Sequence, residues 1–247
     1  MANKGFLFAL LGLMLWVLPQ QSQAETTQYK ASELDIDFEQ EAEASLKVSD
    51  PLAKFNRPMD RFNRWLLKAL RPVTNTYKHN VPEGARNAIG HFFSNLTSPL
   101  NILNLGLQGK GKESLKQTGR FVFNSTVGLA GFFDVSASEL NIPVHKEDFG
   151  QTLGHYGVKP GPYLNLPLLG PVMTRDLVCL PLDWSFDLDN WFFPHNPGAR
   201  YGMMGIENLN KATDLQEQLI LVEKNALDPY TYVRDAYWQM REAKVKE

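Results

Sequence analysis

A single cysteine, Cys179, occurs in 247 residues, so no disulfide can form within the chain even where the compartment is oxidising. Its setting, "LVCLPL", is that of a small buried hydrophobe rather than a nucleophile. Long apolar runs are also missing. The run from Gly5 to Leu18 has 14 non-polar residues, and a helix crossing a bilayer needs about 20. Charge of one sign is scarce as well: the net charge of −2 gives no reason to expect a nucleic-acid partner. The usual catalytic patterns are absent, with no G-x-S-x-G, no G-x-x-x-x-G-K-[ST], no H-E-x-x-H and no pair of C-x-x-C motifs. His79, His91, His145, His155 and His195 stand apart, none paired at metal-ligand spacing. The sequence therefore offers no catalytic residue, no metal site and no cofactor motif.

What is present divides the chain into three. Residues 1–24 read as a signal peptide: Lys4 gives a basic start, the apolar run follows, and Ser22-Gln-Ala24 is a small-x-small cleavage signature. Residues 25–49 form an acidic leader. From Glu25 to Asp50 there are eight acids against Lys30 and Lys47, with too few large apolar residues for a core. Residues 50–247 form the third segment, a single domain, whose balance is mildly basic.

The body reads as mainly α. Asp50-Pro51 is a helix start, and Phe55, Met59, Phe62, Leu66 and Leu70 recur on one helical face while Arg57, Arg61, Arg64, Lys68 and Arg71 supply cations. Periodicity alone favours packing of that face on a core, with a lipid surface as the alternative. Pro58 is expected to kink or split the helix. Val81-Pro82-Glu83 begins a second helix that Pro99 should stop, "NILNLGLQGKGK" reads as a weakly ordered apolar patch, and Glu113 to Val127 as a further helix. Gly128 and Gly131 permit the close backbone approach of a helical hairpin turn. "DWSFDLDNWFFPHN" sets aromatics among acids and prolines, suited to a core or to a membrane interface. Tyr201 to Val222 and then Asp228-Pro229 to Met240 return to helical spacing, with Arg234, Arg241, Lys244 and Lys246 outside the last apolar stripe. No alternating strand of six or more residues stands out in the body.

The segment "FGQTLGHYGVKPGPYLNLPLLGP", residues 149–171, holds five glycines and four prolines, a composition that opposes a regular helix. His155 lies between two of these glycines. No acid or nucleophile accompanies it in sequence, so a structural imidazole bridging backbone groups is expected before a catalytic one. The acids Asp134, Asp148, Asp176, Asp183, Asp187 and Asp189 each read as a cap or a surface carboxylate. Asn95-Leu-Thr and Asn124-Ser-Thr match the glycosylation sequon, a short pattern common by chance.

Six ordered blocks carry a resemblance: "DPLAKFNRPMDRFN", "VPEGARNAIGHFFSNL", "RFVFNSTVGLAGFFDVS", the glycine-proline segment, "TRD" at 174–176 and "DPYTYVRDAYW". Together they resemble the MlaA family, also called VacJ, over residues 50 to 241. The resemblance implies a ring of amphipathic helices lying in the inner leaflet of a Gram-negative outer membrane around a central channel. It implies no enzymatic step but transport of phospholipid from the outer leaflet to a soluble periplasmic lipid carrier, maintaining lipid asymmetry, beside an outer-membrane trimeric porin. Phe55, Asn56, Arg57, Met59, Phe62 and Asn63 fall in its first block and are the expected border or gate of the channel, with Tyr163, Leu164 and Leu166 available to it. Gly128, Gly131, Asp134, Gly154, His155, Tyr156, Gly157, Gly161, Pro162, Arg175, Asp176, Asp228, Pro229 and Tyr230 fall at signature positions expected to shape the fold. One departure stands out: members of the family are lipoproteins, and no cysteine follows the signal peptide here. The expectation is a non-acylated member held at the membrane by its body. A scaffolding or binding module without lipid passage and, more remotely, a lipid hydrolase are the other classes.

Overall fold

The computed structural model describes residues 48, 50–186 and 196–247. The expected signal peptide, the leader apart from Val48, and residues 187–195 with Asp187, Asp189, the three aromatics of "WFF" and His195 lie outside the described residues.

Proline and acid punctuation sets most helix starts. Helix α1, Ala53–Ala69, runs unbroken through Pro58, so the expected split does not occur. Asp50 is not its cap: the capping position is Leu52, which offers no side-chain acceptor, and the Asp50 carboxylate is used elsewhere. Next come α2, Arg71–Asn80, with Pro72 in its first turn, and α3, Glu83–Leu96, which begins where Pro82-Glu83 predicts. The patch read as weakly ordered is instead helix α4, Ser98–Leu107. Pro99 does not stop a helix; it occupies the first turn of a new one, where its missing N–H costs nothing. Helix α5, Gly111–Thr126, ends in a tight turn to α6, Val135–Leu140, which Asp134 caps through Ala137 N. In that turn a Cβ on Gly128 would lie 2.3 Å from the Phe133 carbonyl oxygen, and Gly131 has φ +94°, so both positions need glycine.

The glycine-proline segment holds two surprises. Its first seven residues form helix α7, Phe149–His155, capped by Asp148 through Gln151 N. Its second half is a hairpin: β1, Tyr163–Leu166, pairs antiparallel with β2, Gly170–Met173, with Tyr163 opposite Met173 and Leu166 opposite Gly170. Four-residue strands lie below the length at which alternation is legible, and the turn needs Leu168 at φ +67°. Helix α8, Thr174–Ser185, follows directly, then α9, Pro197–Asn225, and α10, Pro229–Lys246, the last capped by Asp228 as expected.

Contacts pass round the molecule in a circuit. Helix α9 runs along α1, α2 and α3; α3 touches α4 and α5; α4 meets α7; α7 packs on α8 and α10; α10 touches β2 and returns to α9. Helix α1 lies across the hairpin.

The faces turned into this assembly are the polar ones. Among the described residues, buried polar and charged side chains outnumber buried apolar ones. Helix α1 buries Asn56 and Asp60 while Phe55 and Trp65 are exposed, Trp65 at 60%. Helix α5 buries Gln117, Arg120 and Asn124 and exposes Leu115 at 73%. Helix α9 buries Glu207, Asn208, Asn210, Thr213 and Gln216 and exposes Ile206, Leu215 and Ile220. The expectation from periodicity, apolar faces on a core, is thus reversed for much of the body. The apolar core cluster is small, centred on Tyr163, Met173, Tyr230 and Tyr237 with Trp238 and Met240 against it.

Helices approach so closely around α7 that side chains cannot intervene. A Cβ on Gly150 would lie 2.4 Å from Asp176 Oδ1, and one on Gly154 would lie 2.7 Å from Arg175 Nη1. Gly150→Ala should therefore lower stability by about 1–3 kcal/mol, read as a fall in the thermal midpoint. Gly84→Ala, where nothing lies within 4 Å, should leave it unchanged or slightly raised.

Candidate functional site

Two asparagines seven residues apart on α1 read the backbone of the hairpin. Asn56, fully buried, donates through Nδ2 to Tyr163 O at 3.0 Å and accepts from Asn165 N at 2.9 Å. The same Nδ2 donates to Asp50 Oδ1 at 3.0 Å. Asn63 donates to Leu166 O and to Asn165 Oδ1, both at 2.9 Å, and accepts from Leu168 N at 2.8 Å. An amide side chain carries both a donor and an acceptor, so each asparagine replaces a strand neighbour along the outer edge of β1. A spacing of seven residues is two helical turns, which puts both on one line of α1.

Asp50 ties this unit to α10: it accepts a short hydrogen bond from the Tyr230 hydroxyl and lies 3.7 Å from the Arg234 guanidinium. Arg57 reaches Asp228 at 2.8 Å and lies 4.6 Å from the Tyr230 ring centre. The Tyr163 ring meets Tyr230 and Tyr237 edge-on, and among the described residues its buried hydroxyl has no hydrogen-bond partner. The first-block residues and the hairpin residues named from sequence therefore converge. Phe55 is exposed, and Met59, Phe62, Leu164 and Leu166 are half-buried.

Three further polar clusters are buried elsewhere in the assembly. In the first, Arg241 grips Asp148 with two bonds of 2.6 and 3.0 Å and reaches Asp176 at 2.8 Å, while Arg175 holds the other Asp176 oxygen at 2.9 Å. Burial alone would raise the Asp148 carboxyl, but the Arg241 charge and the hydrogen bonds from Arg241 and Gln151 outweigh it and hold the group at about 2. Asp183 has no such partner among the described residues. Burial, and then the Asp148 carboxylate beside it, push it up to about 7, although it accepts from Phe149 N at 3.0 Å. In the second cluster Gln108 and Lys110 reach Glu147 at 2.8 and 3.1 Å. In the third Arg120 bonds Asp134 at 2.5 Å and Ile142 O at 2.7 Å, and Asn124 bonds Asp134 at 3.1 Å. His91, Ser94, Asn95 and Ser98 lie around this last cluster.

Sequence reasoning placed Arg234 and Arg241 outside the last helix's packed stripe; both are buried in ion pairs. His155 is exposed, and its ring meets Tyr156 edge-on, 5.4 Å between ring centres. The backbone bridge expected of the imidazole is made by Tyr156, whose hydroxyl donates to Leu107 O. Gly157 and Gly161 turn the chain at φ +87° and +71°, and Pro162 O accepts from Thr174 N at 3.1 Å. Pro229 opens α10. Asn95 and Asn124 are buried at the α5–α6 turn, which rules out glycosylation of the folded chain. Burial, and after it the surrounding carboxylates, push the Cys179 thiol up to about 11, so it is inert. Among the described residues no group of three or more metal-ligating side chains exists. The asparagine clamp and buried Arg–Asp pairs were not foreseen as such; polar residues recurring with helical period were the signal for them.

Two outcomes follow. Asn56→Ala should cost about 2–3 kcal/mol because it strands a buried carbonyl and a buried N–H, with hydrogen exchange at Asn165 accelerated before global unfolding. The raised Asp183 binds a proton in the folded state that the unfolded chain, at its ordinary 3.8, has already released. Its contribution to stability therefore falls as pH rises from about 4 to about 7 and is level above that. Asp183→Asn, which keeps the acceptor for Phe149 N, should remove this slope from the midpoint measured across that window.

A family model described as "MlaA lipoprotein" matches residues 48–244. A protein of Rickettsia felis, described as uncharacterized, is 35% identical over 202 residues, covering 81% of this chain and 80% of the relative. The Escherichia coli protein named "Intermembrane phospholipid transport system lipoprotein MlaA" is 36% identical over 197 residues, covering 77% of this chain and 76% of the relative. A solved structure described as "Structural basis for maintenance of bacterial outer membrane lipid asymmetry" superimposes with a TM-score of 0.66 at 32% identity, covering 80% of this chain and 99% of that one.

Proposed function

The chain belongs to the MlaA lipoprotein family, and on that footing we propose that it transports phospholipid at the outer membrane, without enzymatic chemistry, to preserve lipid asymmetry. The observation that carries this reading is the reversed polarity of the fold: polar faces inward, large apolar side chains outward. An apolar exterior of this extent needs a non-aqueous neighbour. Amphipathic helices with outward apolar faces suit a place within one leaflet, here the inner leaflet of the outer membrane; among the described residues no helix is long and apolar enough to cross a membrane.

In this reading a phospholipid passes along a path bordered by α1 and the hairpin. The acyl chains slide against Phe55, Met59, Phe62, Leu164 and Leu166, and the polar interior accommodates the headgroup. Asn56, Asn63 and Tyr163 fasten the border, and Arg57, held by Asp228, marks its end. Moving a buried CH₂ into water costs about 0.8 kcal/mol, so two acyl chains leaving a bilayer unaided face tens of kcal/mol. A continuous apolar path removes most of that barrier, and no bond has to break. The lipid would be handed to a soluble periplasmic carrier, with a trimeric porin supporting the protein in the membrane.

Deletion of the gene should raise the phospholipid amine accessible to a membrane-impermeant reagent at the cell surface, and the wild-type copy should restore it. Unchanged labelling would sink the transport reading. Membrane residence is checked separately: after a carbonate wash of outer membranes the protein should stay with the pellet, and full release would count against insertion.

A further inference from the structure

The outward faces of the helices are of two kinds. Helix α5 and the turn after it expose Leu115, Val122, Val127, Leu129 and Phe133, and Lys116 there is paired with Glu113 at 3.0 Å. Helix α1 differs. Asn56 and Asn63 face the hairpin, and with 3.6 residues per turn the line opposite them runs through Lys54, Arg61, Trp65 and Lys68. All four are exposed. Lys54 and Arg61 make no hydrogen bond or ion pair among the described residues, and the Lys68 side chain is 45% exposed while it meets Glu223 at 2.8 Å.

Few acids answer these cations. From Ala53 to Asn80, through α1 and α2, the one carboxylate is Asp60, against seven Lys and Arg, and it is buried and bonded to Arg64 at 2.8 Å. The acids that reach this stretch from elsewhere are engaged: Asp228 by Arg57, Glu223 by Arg64 and Lys68, Glu217 by Lys78. Like charges along one line repel one another, and a negatively charged surface relieves that repulsion. The indole decides which surface. Trp65 stands four residues after Arg61 and three before Lys68, on the same line. An acidic protein would answer the cations alone, whereas an exposed ring among them suits the layer where phosphates meet the edge of the hydrocarbon. Lys54, Arg61 and Lys68 follow one another at about 10 Å along the helix, so each meets a headgroup of its own.

We propose that the outer line of α1 lies in the phosphate layer of the membrane and binds anionic glycerophospholipid headgroups through Lys54, Arg61 and Lys68, with Trp65 at the boundary and the outer face of α5 in the hydrocarbon. The line fixes the height and the roll of the assembly and gathers anionic lipid at the helix that borders the path. The inference rests on residence at a membrane, not on lipid passage.

The test dilutes the full-length protein from nonionic detergent onto vesicles and measures binding by flotation. Lys54→Gln with Arg61→Gln should leave the thermal midpoint unchanged and weaken binding to phosphatidylethanolamine–phosphatidylglycerol vesicles about thirtyfold at low salt, about fivefold for each cation near an anionic surface. Binding to phosphatidylcholine vesicles should not change, and the difference should vanish at about 1 M salt, where the Debye length is about 3 Å. Lys54→Arg with Arg61→Lys should bind as the wild type does, and Lys112→Gln with Lys246→Gln, the same loss of charge elsewhere, should change binding little. Cys179 is buried, so nitroxides can be attached singly at Trp65→Cys and Val122→Cys. Collisions with oxygen and with a water-soluble nickel complex should place the first at headgroup depth and the second in the hydrocarbon. Undiminished binding by the Gln variant, or loss equal to that of the Lys112 and Lys246 pair, would overturn the proposal. So would a label at position 65 as deep as the one at 122, or one left in water on bound protein, which would assign the line to a soluble acidic partner. Equal affinity for both vesicle compositions strikes this inference alone; binding to neither strikes membrane residence and the inference with it.

Discussion

Polar side chains can fill an interior only if nearly every one finds a partner, and that constraint organises this protein. Asn56 and Asn63 satisfy the outer edge of β1, Arg241 and Arg175 satisfy Asp148 and Asp176, and Arg120 satisfies Asp134 and the carbonyl of Ile142. Each bond fixes a helix against a neighbour with a direction that apolar packing lacks. The gain is positional: the net contribution of one such bond is only about 1 kcal/mol, but a buried group left without a partner costs more than that. The shape of the assembly is therefore specified by hydrogen-bond geometry, and many of its large apolar side chains are left on the outside.

Inverted polarity also explains which parts of the structure could be read from sequence. Boundaries could be: Pro82-Glu83, Asp228-Pro229 and the turn at Gly128 and Gly131 are local signals, and the structure uses them as written. The orientation of the faces could not. Phe55, Met59, Phe62 and Leu66 recur with helical period whether the stripe meets a core or a bilayer, and only Leu66 of the four is buried. Asp50 shows another limit: its place before Pro51 imitates a cap, yet its carboxylate serves Asn56, six positions on, and Tyr230, 180 positions on. The meeting of the first block with the hairpin could not be read either, since nothing local in "FNRPMDRFN" points to a partner more than a hundred residues away.

The glycine-proline segment illustrates the difference between composition and use. Read as composition, it opposes helix; in place, Gly150 and Gly154 lie inside α7 because the acid–arginine cluster of α8 and α10 presses directly on that helix. The later glycines and prolines then turn the chain into the hairpin that α1 clamps. His155, the residue most suggestive of chemistry, ends α7 in an exposed position, and Tyr156 makes the contact that matters to the turn.

The bonds that close the clamp join distant parts of the chain: Asn56 meets Tyr163 across 107 positions and Asp50 meets Tyr230 across 180. Loop-closure entropy delays contacts of such high sequence separation, so the first helix cannot be fixed until the last has emerged. The two ends of the chain are therefore joined late, by the same few side chains that position the hairpin. The lock on α1 is incomplete until Tyr230, near the end of the sequence, is available to Asp50.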